Sequence, residues 1–299
     1  MSRKTFAPSQ YTTGVATPSA DTGIDNIVEL QADVDHTHLT SFMSALGISD
    51  FRIEEHHSTL AQNKTSLFQL TQKRKFERMV LDDLEKKNEY SYWLSSPHSC
   101  VLALSGKNAR GMPSHSLFWV SPVAIEMIER LKHQCAFVTY HLCQVSEANI
   151  VSGQEPAAEH VLLSLIGQML VKRPSILRDP AAFDRLSALT RSREWQEKEA
   201  NAFYDVLKSV IALLNEQCSD LSPMYIILDR VDRCEGSDIS QEQLMRVLLR
   251  LVNEVACVVK ILVVSRDDFW ELEKHIDEFE IPKTGLTKFV HLSLKQQRL

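Results

Sequence analysis

The chain has no apolar run long enough to cross a membrane. None of its hydrophobic segments reaches the ~18 residues that a spanning helix needs, and its polar amino terminus lacks the apolar core of a signal peptide. We therefore expect a cytoplasmic protein with no membrane partner. With 299 residues, 44% of them hydrophobic, the chain can bury one sizeable core.

The chain also has no excess of positive charge over negative charge. The formal net charge is −6 and the isoelectric point is about 6.0, which argues against a general affinity for nucleic acid or anionic lipid. A local basic run, Lys73-Arg74-Lys75 with Arg78, is typical of a solvated helix face. We expect no nucleic-acid partner.

Cysteine occurs six times but never as a C-x-x-C pair, so we expect reduced core thiols and no disulfide framework. The histidine pairs His36/His38 and His56/His57 lack Cys or His partners at zinc-finger spacing, and we expect no metal there. The hydrolase motif G-x-S-x-G is missing, although composition alone leaves a Ser/His/Asp or Cys/His hydrolase open. The cysteines are Cys100, Cys135, Cys143, Cys218, Cys234 and Cys257.

A buried-strand pattern beginning at Val101 runs into a loop that has the spacing of a phosphate-binding loop without its chemistry. Gly106 and Gly111 fit G-x-x-x-x-G-K-[ST], but Met112 and Pro113 stand where Lys and Ser/Thr belong. In a working loop the Lys neutralises phosphate charge and the hydroxyl holds Mg²⁺. Their loss removes contacts worth ~1.5–3 kcal/mol each, or about two to four decades in affinity.

Other residues of the loop leave two interpretations open. Ala109 stands where a further glycine often lies, while Lys107 and Arg110 keep the loop basic and compatible with weak anion binding. Taken alone, the glycine spacing also fits a plain strand–turn–helix corner.

A second segment, Met224 to Leu228, is an apolar strand that ends in Asp229, with Asp232 close behind. Such a strand is typical of a parallel sheet that is buried on both faces. A P-loop NTPase places a Mg²⁺-positioning Asp at this end, and a further acid orients the attacking water. Asp229 and Asp232 fit these roles, with Asp229 a metal ligand only if nucleotide binds. The alternative is a pair of solvated loop acids.

A third segment, Val258 to Val264, is an apolar strand followed by Ser265-Arg266. Arg266 fits a residue that senses the γ-phosphate, and it fits a surface or ion-pair arginine equally well.

Together these segments resemble the NACHT-type NTPase domain of fungal STAND proteins, the signal-transduction ATPases with numerous domains, over roughly Ser91 to Leu294. The family's G-K-P-G-S-G-K-S and L-D-A-L-D-E-C have degenerate counterparts here, and the order and spacing of the phrases carry the resemblance. The phrases are Tyr92–Pro97, Gly106–Pro113, Val161–Leu170, Leu228–Cys234 and Ile261–Arg266.

The departures from the family fall on its chemically active positions. Lys becomes Met112, Ser/Thr becomes Pro113, and the acid after the second Asp becomes Arg233. We expect Arg233 to neutralise Asp229 and Asp232 in place of the metal.

Apolar periodicity predicts strands alternating with helices, and hence a mostly parallel sheet. The expected fold is a P-loop NTPase-like three-layer α/β sandwich with five strands, in the order 5-1-4-3-2 that the resemblance implies. Ser240 with Gln243 predicts a capping box. The other expected elements are helices at Leu117–Leu131, Ala157–Val171 and Glu194–Glu216, and strands at Cys135–Leu142 and Lys288–Leu294.

Three regions are expected: a disordered tail at 1–22, a helical N-terminal region at 23–97, and a degenerate NACHT/P-loop NTPase-like domain at 98–299. In the second region Phe76, Met79, Val80 and Leu84 share one helical face that we expect to pack on the core. The chain ends at Leu299, just past the last expected strand, where the family continues into further domains.

These patterns favour a non-hydrolysing NACHT-like module that needs no cofactor and acts by binding proteins, including intact STAND relatives in fungal self/non-self signalling. One alternative is a weak ATP-binding protein or slow ATPase, in which Lys107 or Arg110 replaces the lysine and Ser114 or Ser116 the hydroxyl, with ATP and Mg²⁺ as cofactors. Another is a truncated product without a selected function.

Overall fold

The computed structural model describes residues 36–74, 79–106, 120–143, 157–217, 223–234, 239–266 and 289–294. The predicted disordered tail lies outside the described residues, as does the glycine-rich loop after Gly106.

Four parallel strands form the centre of the fold in the order β1-β4-β3-β2, which agrees with the order that the resemblance implies. They are almost wholly apolar and buried, because helices cover both faces of a parallel sheet. A further segment, β5, runs parallel to β1 on its other side. The strands are β1 (Cys100–Gly106), β2 (Val138–Leu142), β3 (Met224–Asp229), β4 (Val259–Arg266) and β5 (Phe289–Leu294).

Ten α-helices are present in the described part of the chain, with two short 3-10 turns at Pro174–Leu177 and Val231–Arg233. The helices are α1 (36–45), α2 (Ile53–Arg74), α3 (Leu81–Glu85), α4 (Asn88–Ser95), α5 (Ser121–His133), α6 (Ala158–Lys172), α7 (Pro180–Thr190), α8 (Arg193–Gln196), α9 (Ala200–Gln217) and α10 (Gln241–Glu254).

Alternation along the strands divides the core into two layers. Ile226 and Leu228 point to the face that α6, α9 and α10 cover. Ile227 and Val264 point to the opposite face, against α3, α4 and α5. The sheet therefore lies between two helical layers, and its carboxyl edge is left to the connecting segments.

The predicted capping box at the start of α10 is confirmed. The Ser240 hydroxyl accepts a hydrogen bond from the Gln243 backbone N–H at 3.1 Å, and the Gln243 side chain accepts one from the Ser240 backbone N–H at 2.8 Å. Two backbone donors that the helix cannot satisfy thus find partners within the first turn.

The prediction of one long helix over Glu194–Glu216 is wrong, because the chain breaks between α8 and α9. Lys198 takes a left-handed conformation with φ +52°. The break turns Trp195 back onto Phe203, with ring centroids 4.7 Å apart. Helical periodicity continued across the break, and no glycine or proline marked it.

Strand β2 begins at Val138, three residues later than predicted. Cys135 has φ +55° and belongs to the turn that ends α5, where the Ala136 N–H donates to the Leu131 carbonyl. This is the closure that commonly terminates helices, here without the usual glycine.

The N-terminal region packs on the core as expected, but its predicted helical face is incomplete. Met79 and Leu84 are buried in the same layer as Trp93. Val80 is extended, with φ −105° and ψ 156°, and α3 begins only at Leu81. Phe76 lies outside the described residues.

The outer edge of β2 is closed by a side chain of α6. The Gln168 amide donates to the Tyr140 carbonyl at 2.6 Å and accepts from the Tyr140 N–H at 3.1 Å. Gln168 thereby reproduces the hydrogen bonds of a neighbouring strand, which protects an edge that would otherwise invite strand pairing.

Helix α4 is fastened to the sheet by a buried lysine. The Lys260 ammonium donates to the carbonyls of Trp93 at 2.7 Å and Ser96 at 2.6 Å, and Lys260 is 1% exposed. The Trp93 indole N–H donates to the Cys100 carbonyl at 3.3 Å. A cation at the carboxyl end of a helix also complements the helix dipole.

We predict that Lys260→Met lowers the free energy of unfolding by about 2–3 kcal/mol, because two buried carbonyls lose a charged donor. Lys86→Met is the matched control, since Lys86 is 73% exposed and pairs with Asp83 at the surface. Urea unfolding at pH 7 measures both. An equal loss in the two variants would contradict a structural role for Lys260.

Candidate functional site

The carboxyl ends of the central strands bring several of the predicted site residues together. Gly106 ends β1 and is in register with Arg266 at the end of β4. Asp229 ends β3, and Asp232 lies in the 3-10 turn that follows. Five further predicted residues of the loop lie outside the described residues: Lys107, Arg110, Gly111, Met112 and Pro113.

Asp229 is completely buried and has one clear partner. The Ser121 hydroxyl donates to its Oδ1 at 2.9 Å, and Oδ2 has no hydrogen-bond partner within the described part of the chain. Burial raises the pKa of Asp229 to about 7, against the opposing effects of Arg230 and Ser121. Burial of the Asp229 carboxyl thus favours its protonated, uncharged form.

Asp232 is held in a buried ion pair with Arg230. The Arg230 Nε and a terminal guanidinium nitrogen lie 3.3 Å from the two carboxylate oxygens of Asp232. The side chains are 5% and 3% exposed. A two-pronged contact of this kind satisfies both oxygens at once and neutralises the carboxylate.

The backbone at Arg230 makes this pairing possible. Arg230 is left-handed, with φ +62° and ψ 42°, a conformation that costs a non-glycine residue of the order of 1 kcal/mol. Its N–H donates to the Val264 carbonyl at 2.9 Å, which continues the ladder between β3 and β4 by one residue. The reversal folds the guanidinium back over the turn that carries Asp232.

Groups other than Arg233, which we expected to neutralise both acids, also contact these carboxylates. Arg230 makes the ion pair with Asp232, and Ser121 hydrogen-bonds Asp229. Arg233 lowers the pKa of Asp229 electrostatically, but less than Arg230 does.

Ser121 is a site residue that the sequence analysis missed. It is the first residue of α5, and Val120 immediately before it is fully buried. In a P-loop the residue before the Mg²⁺-binding hydroxyl is the phosphate lysine. The structure thus places a hydroxyl beside Asp229 and a buried apolar residue immediately before that hydroxyl.

Two buried thiols, Cys143 and Cys234, lie close to Asp229 and Asp232. The Cys143 Sγ is 3.2 Å from the Cys234 Sγ, and both residues are buried. Cys143 follows β2, and its N–H donates to the Asp229 carbonyl at 2.9 Å. The hydrogen bond with the Cys234 thiol, followed by burial, raises the pKa of Cys143 well above its usual value.

Histidines of α2 and β2 form a separate cluster at the sheet edge. His56 lies 3.2 Å from the Ser164 hydroxyl, and its ring centroid is 5.9 Å from that of His141. Enclosure of the ring, with further effects of His56 and His160, lowers the pKa of His141 to about 3. His141 is therefore neutral at pH 7, and the contact between His56 and Ser164 joins α2 to α6.

The described residues contain no group of three or more His, Cys, Asp or Glu side chains arranged to hold an ion. His38 stacks on Phe183 at 4.5 Å and contacts the Leu177 carbonyl at 2.8 Å.

No described helix combines the length and apolarity needed to cross a membrane.

Comparison with known proteins gives one assignment. No curated protein matches the chain. The family described as nephrocystin 3, N-terminal, matches residues 79–266, which is more than half of the chain and includes α3, α4, the four central strands and the acids of the candidate site. The chain belongs to the nephrocystin 3 N-terminal family.

Proposed function

We propose that this chain is a non-hydrolysing P-loop-like module of the NACHT type that acts by binding other proteins in STAND-type signalling. The observation that carries the proposal is the buried Arg230–Asp232 ion pair. An acid that is to orient the attacking water must be open to it, and here the guanidinium occupies both oxygens.

The cost of freeing Asp232 argues against catalysis in this arrangement. Breaking a buried ion pair while leaving one charge uncompensated costs about 3–5 kcal/mol. If Asp232 acted in hydrolysis, the Arg230–Asp232 ion pair would have to break in each turnover at this cost. The cost would fall only if the Arg230 guanidinium paired with another anion.

The phosphate side of the site supports the same proposal. If the chain is aligned with the P-loop motif by its glycine spacing, Met112 stands at the position of the lysine. If Ser121, whose hydroxyl reaches Asp229, is instead placed at the position of the motif's hydroxyl, Val120 stands at the position of the lysine. Neither side chain carries charge. Either alignment therefore removes the contact that neutralises the β- and γ-phosphates.

The sheet supports the P-loop part of the proposal. The order of the four central strands agrees with the order that the resemblance implies, and β5 lies beside β1, where a fifth strand of order 5-1-4-3-2 belongs. We assign residues 98–299 to this module and residues 23–97 to the helical region before it.

A weak ATP-binding protein is the second candidate, and the Ser121–Asp229 hydrogen bond favours it. A hydroxyl beside an acid at the end of a strand is the pair that holds Mg²⁺ in P-loop proteins. The unpartnered Oδ2 of Asp229 adds an acceptor that a cation would satisfy.

Calorimetric titration with ATP and Mg²⁺ separates the candidates. Because the pKa of Asp229 is about 7, the titration is run at pH 8.5, where the carboxylate is ionised. We predict no heat of binding at micromolar nucleotide. Binding that needs Mg²⁺ and disappears in Asp229→Asn, but persists in the exposed control Asp184→Asn, would favour the second candidate.

Co-purification from the source cells tests the protein-binding part. We expect a tagged chain to recover an intact STAND-family relative in stoichiometric amount, with recovery unchanged by ATP. Recovery of no such relative in repeated experiments would contradict this part of the proposal while leaving the absence of hydrolysis standing.

A further inference from the structure

We propose that Cys143 and Cys234 are a redox-active pair that forms a reversible disulfide, joining the end of β2 to the turn after β3. Their sulfur atoms are 3.2 Å apart, and a disulfide requires about 2.05 Å. The two sulfurs need to approach by only about 1 Å.

Both backbones are already held in position for this bond. Cys143 is anchored to β3 through its N–H and the Asp229 carbonyl at 2.9 Å. The Cys234 N–H donates to the Val231 carbonyl at 3.1 Å, and the Cys234 carbonyl accepts from the Gln241 side chain at 3.0 Å. We therefore expect the bond to close mainly by rotation of the two side chains.

The other described cysteines have different surroundings. Cys100 is buried against the Lys260 amine, with 3.4 Å between Sγ and Nζ. Cys135 is exposed at the end of α5, and Cys257 is half-buried before β4. Cys143 and Cys234 are the thiol pair within bonding reach in the described part of the chain, which makes the reaction selective.

Hydrogen peroxide supplies the oxidant. One thiol sulfur attacks a peroxide oxygen, the O–O bond breaks, and a sulfenic acid and one water form. The second sulfur then attacks the sulfenic sulfur, the S–O bond breaks, and the disulfide and a second water form. The two sulfurs lose two electrons in all, and the thiol protons leave in the two waters.

The bond would act directly on the candidate site. Cys234 is two residues from Asp232, and the Gln241 side chain that holds Cys234 also donates to the Asp232 carbonyl at 3.2 Å. A covalent link at Cys234 fixes this turn and the Arg230–Asp232 pair within it. Oxidation thus converts a turn held by hydrogen bonds into one that is tethered to β2.

Peptide mapping of the full chain after peroxide treatment tests the inference. We expect a linked peptide containing Cys143 and Cys234, lighter by two hydrogens and released by dithiothreitol. Because the loop closed is long, the midpoint of thermal unfolding is expected to rise by roughly 5–10 °C. Cys135→Ser should leave the link intact, whereas Cys143→Ser should abolish it.

Three outcomes would overturn the inference. The first is peroxide that oxidises Cys135 fully while Cys143 and Cys234 stay as free thiols. The second is a link from either residue to a different cysteine. The third is a linked peptide that dithiothreitol does not release. All three are read on the wild-type chain, so the test does not depend on the folding of a variant.

Discussion

Replacing Arg230 with methionine is expected to lower the free energy of unfolding by about 3–5 kcal/mol, because Asp232 would remain buried without its counter-charge. The two side chains are 5% and 3% exposed, so water cannot replace the guanidinium without opening the turn. Urea unfolding at pH 7 measures the loss.

A double-mutant cycle shows whether the loss belongs to the pair. Asp232→Asn removes the charge that Arg230 compensates, so Arg230→Met combined with Asp232→Asn should cost less than the two single changes added together. Arg233→Met is the neighbouring control and should cost less than Arg230→Met. Additive losses, or a larger loss at Arg233, would contradict the assignment of Arg230 as the partner of Asp232.

Replacing Asp229 with asparagine is expected to stabilise the protein at alkaline pH. The folded pKa of Asp229 is about 7, above the ordinary value of 3.8 for an aspartate. Between these values the folded chain keeps a proton that the unfolded chain has lost, so stability falls as the pH rises through this window. Asparagine has no such proton, and the advantage of the variant should grow by about 1.4 kcal/mol per pH unit from pH 4 to 7.

Wild type alone would not reveal this effect, because a histidine changes the free energy of unfolding with pH in the opposite direction. The comparison with the variant is therefore needed. The pKa of His141 is about 3 in the folded chain, below the ordinary value of 6.5 for a histidine. Its contribution to stability is present above pH 6.5 and is lost as the pH falls toward 3. In wild type the two slopes offset each other between about pH 4 and 6.5. The measurement is the free energy of unfolding of both proteins at each pH. A difference between wild type and Asp229→Asn that stays constant from pH 4 to 8 would contradict the raised pKa.

The sequence predicted the frame of the fold because hydrophobic periodicity is a local signal. The alternation of strands with helices and the capping box at Ser240 and Gln243 agree with it. The order of the four central strands agrees with the order that the resemblance implies, which periodicity alone does not give. The positions of Asp229 and Asp232 at the carboxyl edge followed from the same strand pattern. The strand pattern and the capping box depend on residues close together in the chain.

The contacts of the site could not be predicted in this way. Arg230 and Asp232 are near neighbours in the sequence, but their ion pair accompanies a left-handed backbone at Arg230 that the strand pattern does not predict. Ser121 reaches Asp229 from a helix that is more than a hundred residues away in the chain. The break before α9 likewise depends on Trp195 packing against Phe203, a contact that periodicity does not encode.

Phosphate release from saturating ATP and Mg²⁺ at pH 8.5 tests most directly whether the Arg230–Asp232 pair has ended catalysis. We predict that wild type releases phosphate no faster than Asp232→Asn or Asp229→Ala, which both lack an acid of the site. Steady turnover by wild type that disappears in both variants, and persists in the surface control Asp184→Asn, would show that the acids remain catalytic and would contradict a non-hydrolysing module.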